Sequence, residues 1–161
     1  MELTEKILPL ISVNGKIIHV TSSAGKTKFL KSETLKSQFL KENLTKSQIF
    51  DLANEFIQSV KDNTFEVKGW PKWGYAISKL LLNVYVRNLE FNYTEIIKKN
   101  KIQIYSCCPG YVKTDMSSHK GELSIDEGAL TPVYLVELPF ELKEGFQGQF
   151  FSKEKVGSIS E

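Results

Sequence analysis

Trp70-Pro71-Lys72-Trp73-Gly74-Tyr75-Ala76-Ile77-Ser78-Lys79 is a loop rich in Trp, Pro and Gly that turns into a helix opening with Tyr75. Tyr75 and Lys79 stand at i and i+4, so on a helix they share one face. An ammonium group beside a phenol, whose ordinary pKa is about 10, favours loss of the phenolic proton. Tyr75 is therefore a candidate proton donor. A Tyr-x-x-x-Lys pair also arises wherever a helix buries a tyrosine and exposes a lysine. The weight of the reading falls on the flanking sequence.

Downstream, the helix continues through Leu80-Leu81-Leu82, Val84, Tyr85, Leu89 and Phe91, with Arg87, Glu90 and Glu95 on its wet side, and ends by about Asn100. Short apolar stretches stand on either side of it. Lys16–Thr21 runs into Ser22-Ser23-Ala24-Gly25, and Ile102–Cys107 breaks at Pro109-Gly110. Strand, helix and strand make a βαβ unit with a right-handed crossover, so both strand ends face the same rim of a parallel α/β sheet. Ligands of such sheets bind just past the carboxyl ends of the strands. That places the hydroxyls of Ser22 and Ser23, the glycine turn at Gly110 and the hydroxyl of Thr114 where a small-molecule site is expected.

The remaining elements are subsidiary. Thr4 to Ile11 reads as the end of a helix stopped near Pro9, before a turn at Asn14-Gly15. From about 28 to 68 the chain becomes polar and lysine-rich. The capping box Thr45-Lys46-Ser47-Gln48 opens one clear amphipathic helix there, with Ile49, Leu52, Ala53, Phe56 and Val60 on its apolar face. This segment reads as a helical insertion on the rim, without chemistry of its own. A second capping box, Ser124-Ile125-Asp126-Glu127, starts a helix carrying Ala129, Val133, Tyr134 and Val136 and ending at Pro139; Gly148-Gln149-Phe150-Phe151 reads as a last strand.

With 161 residues, 41% of them hydrophobic and 25% charged, the chain has the composition of one ordinary globular domain. Its 21 basic and 19 acidic residues leave a net charge of +2, too little to hold nucleic acid or an anionic membrane. Cys107 and Cys108 are adjacent and offer neither metal-ligand spacing nor a disulfide framework, so reduced thiols in a cytoplasmic setting are expected and no metal site. No apolar run approaches the roughly 18 residues of a membrane span. Met1-Glu2-Leu3-Thr4-Glu5 is too acidic to begin a signal peptide. Gly25-Lys26-Thr27 after a strand invites comparison with a phosphate-binding loop, but Val20 stands where that motif requires glycine. His19 reads as a core or edge residue of its strand.

The series Ser22, Tyr75-Ala76-Ile77-Ser78-Lys79 and Pro109-Gly110-Tyr111-Val112-Lys113-Thr114 resembles the active site of the short-chain dehydrogenases/reductases. Gly69-Trp70-Pro71, Cys107-Cys108-Pro109-Gly110, Thr114-Asp115-Met116, Glu127-Gly128-Ala129, Thr131-Pro132-Val133-Tyr134-Leu135 and Gly148-Gln149-Phe150 resemble its carbonyl reductase branch. The insertion between Ser22 and Tyr75 is similar to that of the monomeric carbonyl reductases. The resemblance implies a partial Rossmann-like fold and reduction of a small-molecule ketone or aldehyde by NADPH, with NADH the alternative. It makes Tyr75 the acid, Lys79 the holder of the cofactor ribose, and Ser22 the hydroxyl that steadies the substrate oxygen. Pro109, Gly110, Val112 and Thr114 match cofactor-contacting positions, and Tyr111 and Cys108 face the substrate.

The family's glycine-rich fingerprint, Gly-x-x-x-Gly-x-Gly, and the asparagine that completes its catalytic group belong to a first half that has no counterpart in this sequence. Residues 4–11 resemble the helix just before the serine strand. Weak cofactor binding by this chain alone is therefore expected, together with an open edge at Lys16–Thr21 that invites pairing with another chain. For the full family fold the resemblance implies a monomer. The missing half suggests either a partner chain or a truncation. Two functions remain open, a reductase or its catalytic half, and a non-catalytic relic serving as a structural or interaction subunit. The intact Ser-Tyr-Lys set favours the first, because a relic loses such residues freely.

Overall fold

In the computed structural model, which describes residues 1–141 and 146–160, β1 (Lys16–Val20) and β2 (Gln103–Cys108) pair in parallel, Ile17 beside Ile104 and Val20 beside Cys107. β2 is buried along its whole length, as a central parallel strand should be. On its other side lies β3 (Phe150–Ser152), also parallel. A fourth strand that the sequence does not announce, β4 (Lys155–Gly157), pairs antiparallel with β3 and completes the order β1-β2-β3-β4. Lys153 and Glu154 form its two-residue turn, both at positive φ. Hairpin turns of that geometry usually advertise themselves with Asn-Gly, and here the signal is absent.

Alternation along the strands sends side chains to two helical layers. Ile17 and Ile104 enter a cluster with Ile77, Leu80 and Val84 of α4 (Gly74–Arg87). Tyr105 and Cys107 point the other way, towards Phe151 and Leu135 of α7 (Ile125–Glu137). The buried stripe of α7 is Gly128, Thr131 and Leu135, whereas Val133 and Val136 are exposed. Lys16 fixes the end of this helix by donating through Nζ to the carbonyls of Leu135, Val136 and Leu138.

Where the sequence predicts one helix to about Asn100, the structure has three, α4, α5 (Leu89–Asn92) and α6 (Thr94–Lys99). The breaks occur where the insertion docks. Asn88 accepts the Leu44 N–H and Asn92 the Lys46 N–H, while Asn92 also donates to the Leu44 carbonyl. Arg87, expected on the wet side, donates to the carbonyls of Phe39 and Lys41 at the end of α2 (Glu33–Leu40), a second insertion helix that the sequence reading lacks. α3 (Lys46–Lys61) carries the expected capping box and buries Ile49 and Leu52, but Val60 is exposed and Ser59 takes the inner position. Trp70, fully buried against Phe39 and Phe56, ties the insertion to the loop before α4. At the N-terminus, the helix is α1 (Glu2–Ile7), followed by a 3₁₀ turn over Leu8–Leu10. Glu5 on α1 meets the Lys46 ammonium at 2.5 Å.

His19 faces the edge of Tyr85 at 6.3 Å, and its Nε2 has no hydrogen-bond partner. Burial, helped by the chain's amino terminus, lowers its pKa from 6.5 to about 4. The unfolded chain thus takes up this proton before the folded one does. Stability is full above pH 6.5 and falls as the pH drops towards 4. The loss is on the order of 2 kcal/mol, discounted for partial exposure. Denaturant titrations between those limits should show this slope, and His19→Gln should remove it; an unchanged slope in the variant would assign the effect to other groups.

Candidate functional site

The end of β1 is locked to β2 before the site begins, since the Thr21 N–H donates to the Cys107 carbonyl at 2.7 Å and its hydroxyl does so at 3.2 Å. Ser22 opens a tight turn whose carbonyl accepts the Gly25 N–H. Its Oγ accepts the Ala24 N–H at 3.1 Å, which leaves the hydroxyl proton for an acceptor in front of the strand. Gly25 is there because the turn lies against α4. A Cβ at this position would stand 2.5 Å from the Lys79 backbone carbon. Asn83 Nδ2 closes the same contact by donating to the Gly25 carbonyl at 2.9 Å.

Tyr75 lies in the first turn of α4 and is half exposed. The Lys79 ammonium sits 5.7 Å from the centre of the Tyr75 ring and 3.5 Å from the Val20 carbonyl, between the tyrosine and the end of β1.

On the other side, the chain leaves β2 through Pro109 and Gly110, the latter at φ +86°, where a side chain is strained. The segment then folds back on residues 121–123. Val112 bridges Leu123, and Lys113 N–H donates to the Leu123 carbonyl. Two further glycines press it into place. A Cβ at Gly121 would fall 2.1 Å from the Val112 carbonyl carbon, and one at Gly128 2.4 Å from Val112 Cγ2.

These elements enclose a cleft of about 1040 Å³, lined by every residue that the sequence reading singles out: Ser22, Tyr75, Lys79, Cys108, Pro109, Gly110, Tyr111, Val112 and Thr114. Lys26, Lys28, Phe29, Trp73, Met116 and Ile125 line it too, and the sequence reading passed over them. The insertion is thus not free of the site, for Lys28 and Phe29 begin it. Their proximity to the end of β1 was the available signal. Trp73 lies 6.3 Å from Tyr75 and 5.2 Å from Phe29, edge-on to the latter, so the aromatic wall runs outward from the proton-donor candidate. The Cys108 thiol reaches Ser23 Oγ at 3.5 Å. Its neighbour Cys107 is sealed behind the sheet, and burial, with a further push from Cys108, raises that thiol's pKa to about 11. Both thiols are free. Among the described residues no cluster of His, Cys, Asp or Glu is gathered to hold a metal, and no helix is long and apolar enough to cross a membrane.

No protein-family model matches the chain. Individual proteins do. Human carbonyl reductase [NADPH] 1 is 40% identical over 105 residues, covering 65% of this chain and 38% of that protein. Rat carbonyl reductase [NADPH] 3 is 41% identical over 96 residues, or 60% of this chain and 35% of that protein. Salutaridine reductase of Papaver somniferum superposes on 94% of this chain with a TM-score of 0.79 at 33% identity. Over the matched stretches this chain is similar to a fragment of the carbonyl reductase-like short-chain dehydrogenases/reductases. It spans 38% or less of these two carbonyl reductases and 50% of the salutaridine reductase chain. Menthone neomenthol reductase of Mentha piperita superposes on 93% of it with a TM-score of 0.67 at 27% identity.

Gly121 offers a test of how the reductase-like loop is held. Its missing Cβ faces backbone, which cannot step aside as a flexible side chain would. Gly121→Ala should therefore destabilise the protein by about 1–3 kcal/mol through overpacking and displace residues 109–114. A melting temperature and amide spectrum equal to the parent's would show that the loop is held elsewhere.

Proposed function

We propose that this chain forms the catalytic half of a carbonyl reductase, reducing a ketone or aldehyde with Tyr75 as proton donor. The observation that carries this reading is the convergence of Ser22, Tyr75 and Lys79 on one cleft, with the Lys79 ammonium beside the Tyr75 ring. A carbonyl oxygen seated there accepts hydrogen bonds from the Ser22 and Tyr75 hydroxyls. As negative charge grows on the oxygen, both bonds strengthen, and the Tyr75 proton passes to it. Lys79 holds a positive charge against the oxygen that Tyr75 is left with. A nicotinamide, when bound, would supply the hydride for the carbonyl carbon.

The residues present fit the nicotinamide end of NADPH. The open backbone at Gly110, the Val112 backbone, Thr114 and Lys79 line the same cleft. NADPH is the cofactor in the names of the human and rat relatives. Nothing in the cleft resembles the glycine-rich turn that seats a pyrophosphate at a helix N-terminus.

A second reading, as a structural or interaction subunit, is favoured by β1, which is the outermost strand of the sheet. The alternation of a parallel ladder turns the backbone of Lys16, Ile18 and Val20 away from β2. Further parallel strands, from adjoining or separate polypeptide, would satisfy these groups and complete the cofactor site.

In a form with the complete site, Tyr75→Phe should lower kcat by at least about a hundredfold with the fold intact; unchanged turnover would exclude Tyr75 as the acid. The chain alone should bind NADPH only at roughly millimolar affinity, about 4 kcal/mol. Calorimetric titration with light scattering reads this, and micromolar binding by a monomer would refute it.

A further inference from the structure

The cleft is lined by three lysines, Lys26, Lys28 and Lys79, and by no aspartate or glutamate among the described residues. Composition does not explain this, since the whole chain has nearly as many acidic residues as basic ones, 19 against 21. Neither Lys26 nor Lys28 forms an ion pair among the described residues. Lys28 instead rests over the Phe29 ring, its Nζ 5.6 Å from the ring centre.

Lys79 and the loop from Pro109 to Thr114 line the part of the cleft that suits the nicotinamide. From Tyr75 the rings of Trp73 and then Phe29 follow at 6.3 and 5.2 Å, the Lys28 ammonium rests over Phe29, and Lys26 also lines the cleft. A molecule with its carbonyl at Tyr75 would lay its body on these rings. Anything it carried at the opposite end would meet positive charge. Flat apolar groups gain from edge and face contacts with aromatic rings, and a carboxylate gains from two ammonium groups that have no other counter-ion.

We propose, resting on the reading of Tyr75 as proton donor, that the substrates of this cleft are flat, aromatic-bodied aldehydes or ketones bearing a carboxylate remote from the carbonyl, which Lys26 and Lys28 receive. The two lysines set specificity and take no part in the proton transfer.

The test uses 4-formylbenzoate and its methyl ester, which share ring and aldehyde and differ in charge. Each is titrated into the full chain and followed by tryptophan fluorescence and calorimetry. The acid should bind about tenfold more tightly than the ester at low salt, and the advantage should shrink at about 0.5 M salt, where the screening length falls to a few ångström. The double variant Lys26→Met with Lys28→Met should lose the advantage and keep its affinity for the ester and its far-ultraviolet dichroism. Equal binding of acid and ester by the parent chain overturns the proposal, as does a preference that survives in the double variant. Reduced NADPH affinity in that variant, with the acid-to-ester ratio unchanged, would assign the lysines to the cofactor and overturn it too. Reduction of the aldehydes is measured in parallel. Acid preference in binding without turnover of either compound upholds the anion subsite and counts against the reductase reading alone.

Discussion

The parallel pairing of β1 with β2 is the constraint on which the rest depends. Parallel strands run their carboxyl ends to the same edge of a sheet, so the turn at Ser22 and the turn at Gly110 emerge side by side although 88 residues of sequence number separate them. The two bonds from Thr21 to the Cys107 carbonyl secure the pairing at its last rung, directly under the cleft. If that rung slipped by one residue, Ile17 and Ile104 would exchange faces with their neighbours, and both helical layers would lose their apolar contacts.

The site then follows from how closely α4 approaches β1. Gly25 allows the Ser22 turn to lie on the Lys79 backbone, and Asn83 holds it there. Tyr75 and Lys79 are placed one helical turn apart by the helix itself. The opposite wall is held by the same device used twice, for Gly121 and Gly128 let the Val112 segment sit against backbone and helix without space between. Small residues at these contacts convert ordinary elements into a cleft of defined shape. Lys26 and Lys28 add positive charge to its lining.

Much of this is legible in the order of residues. The parallel strands, the Tyr75 helix, both capping boxes and the residues lining the cleft are local patterns, and local patterns survive the passage from sequence to structure when burial agrees with them. What was misread has a common cause. The apolar residues from Leu80 to Phe91 predict one helix running through Asn88 to about Asn100. Only the docked insertion, whose backbone near Leu44 needs partners, makes Asn88 and Asn92 more useful as hydrogen-bonding groups. The sequence puts Arg87 on the wet side of its helix, whereas the carbonyl end of α2 holds it.

The sequence by itself determined the α/β class, the polarity of the central strands and which residues come together in the cleft as candidates, since each rests on spacing within a short stretch. It also determined the kinship with carbonyl reductases, through motifs spread along the chain. Tertiary structure alone decided which apolar residues of α7 face inward, because Val133 and Val136 are as hydrophobic as Leu135 and only the position of the sheet chooses between them. It alone decided that Lys26, Lys28 and Phe29 line the same cleft as Tyr75, for that proximity joins the end of a strand to the start of a distant helix, and no local pattern records it.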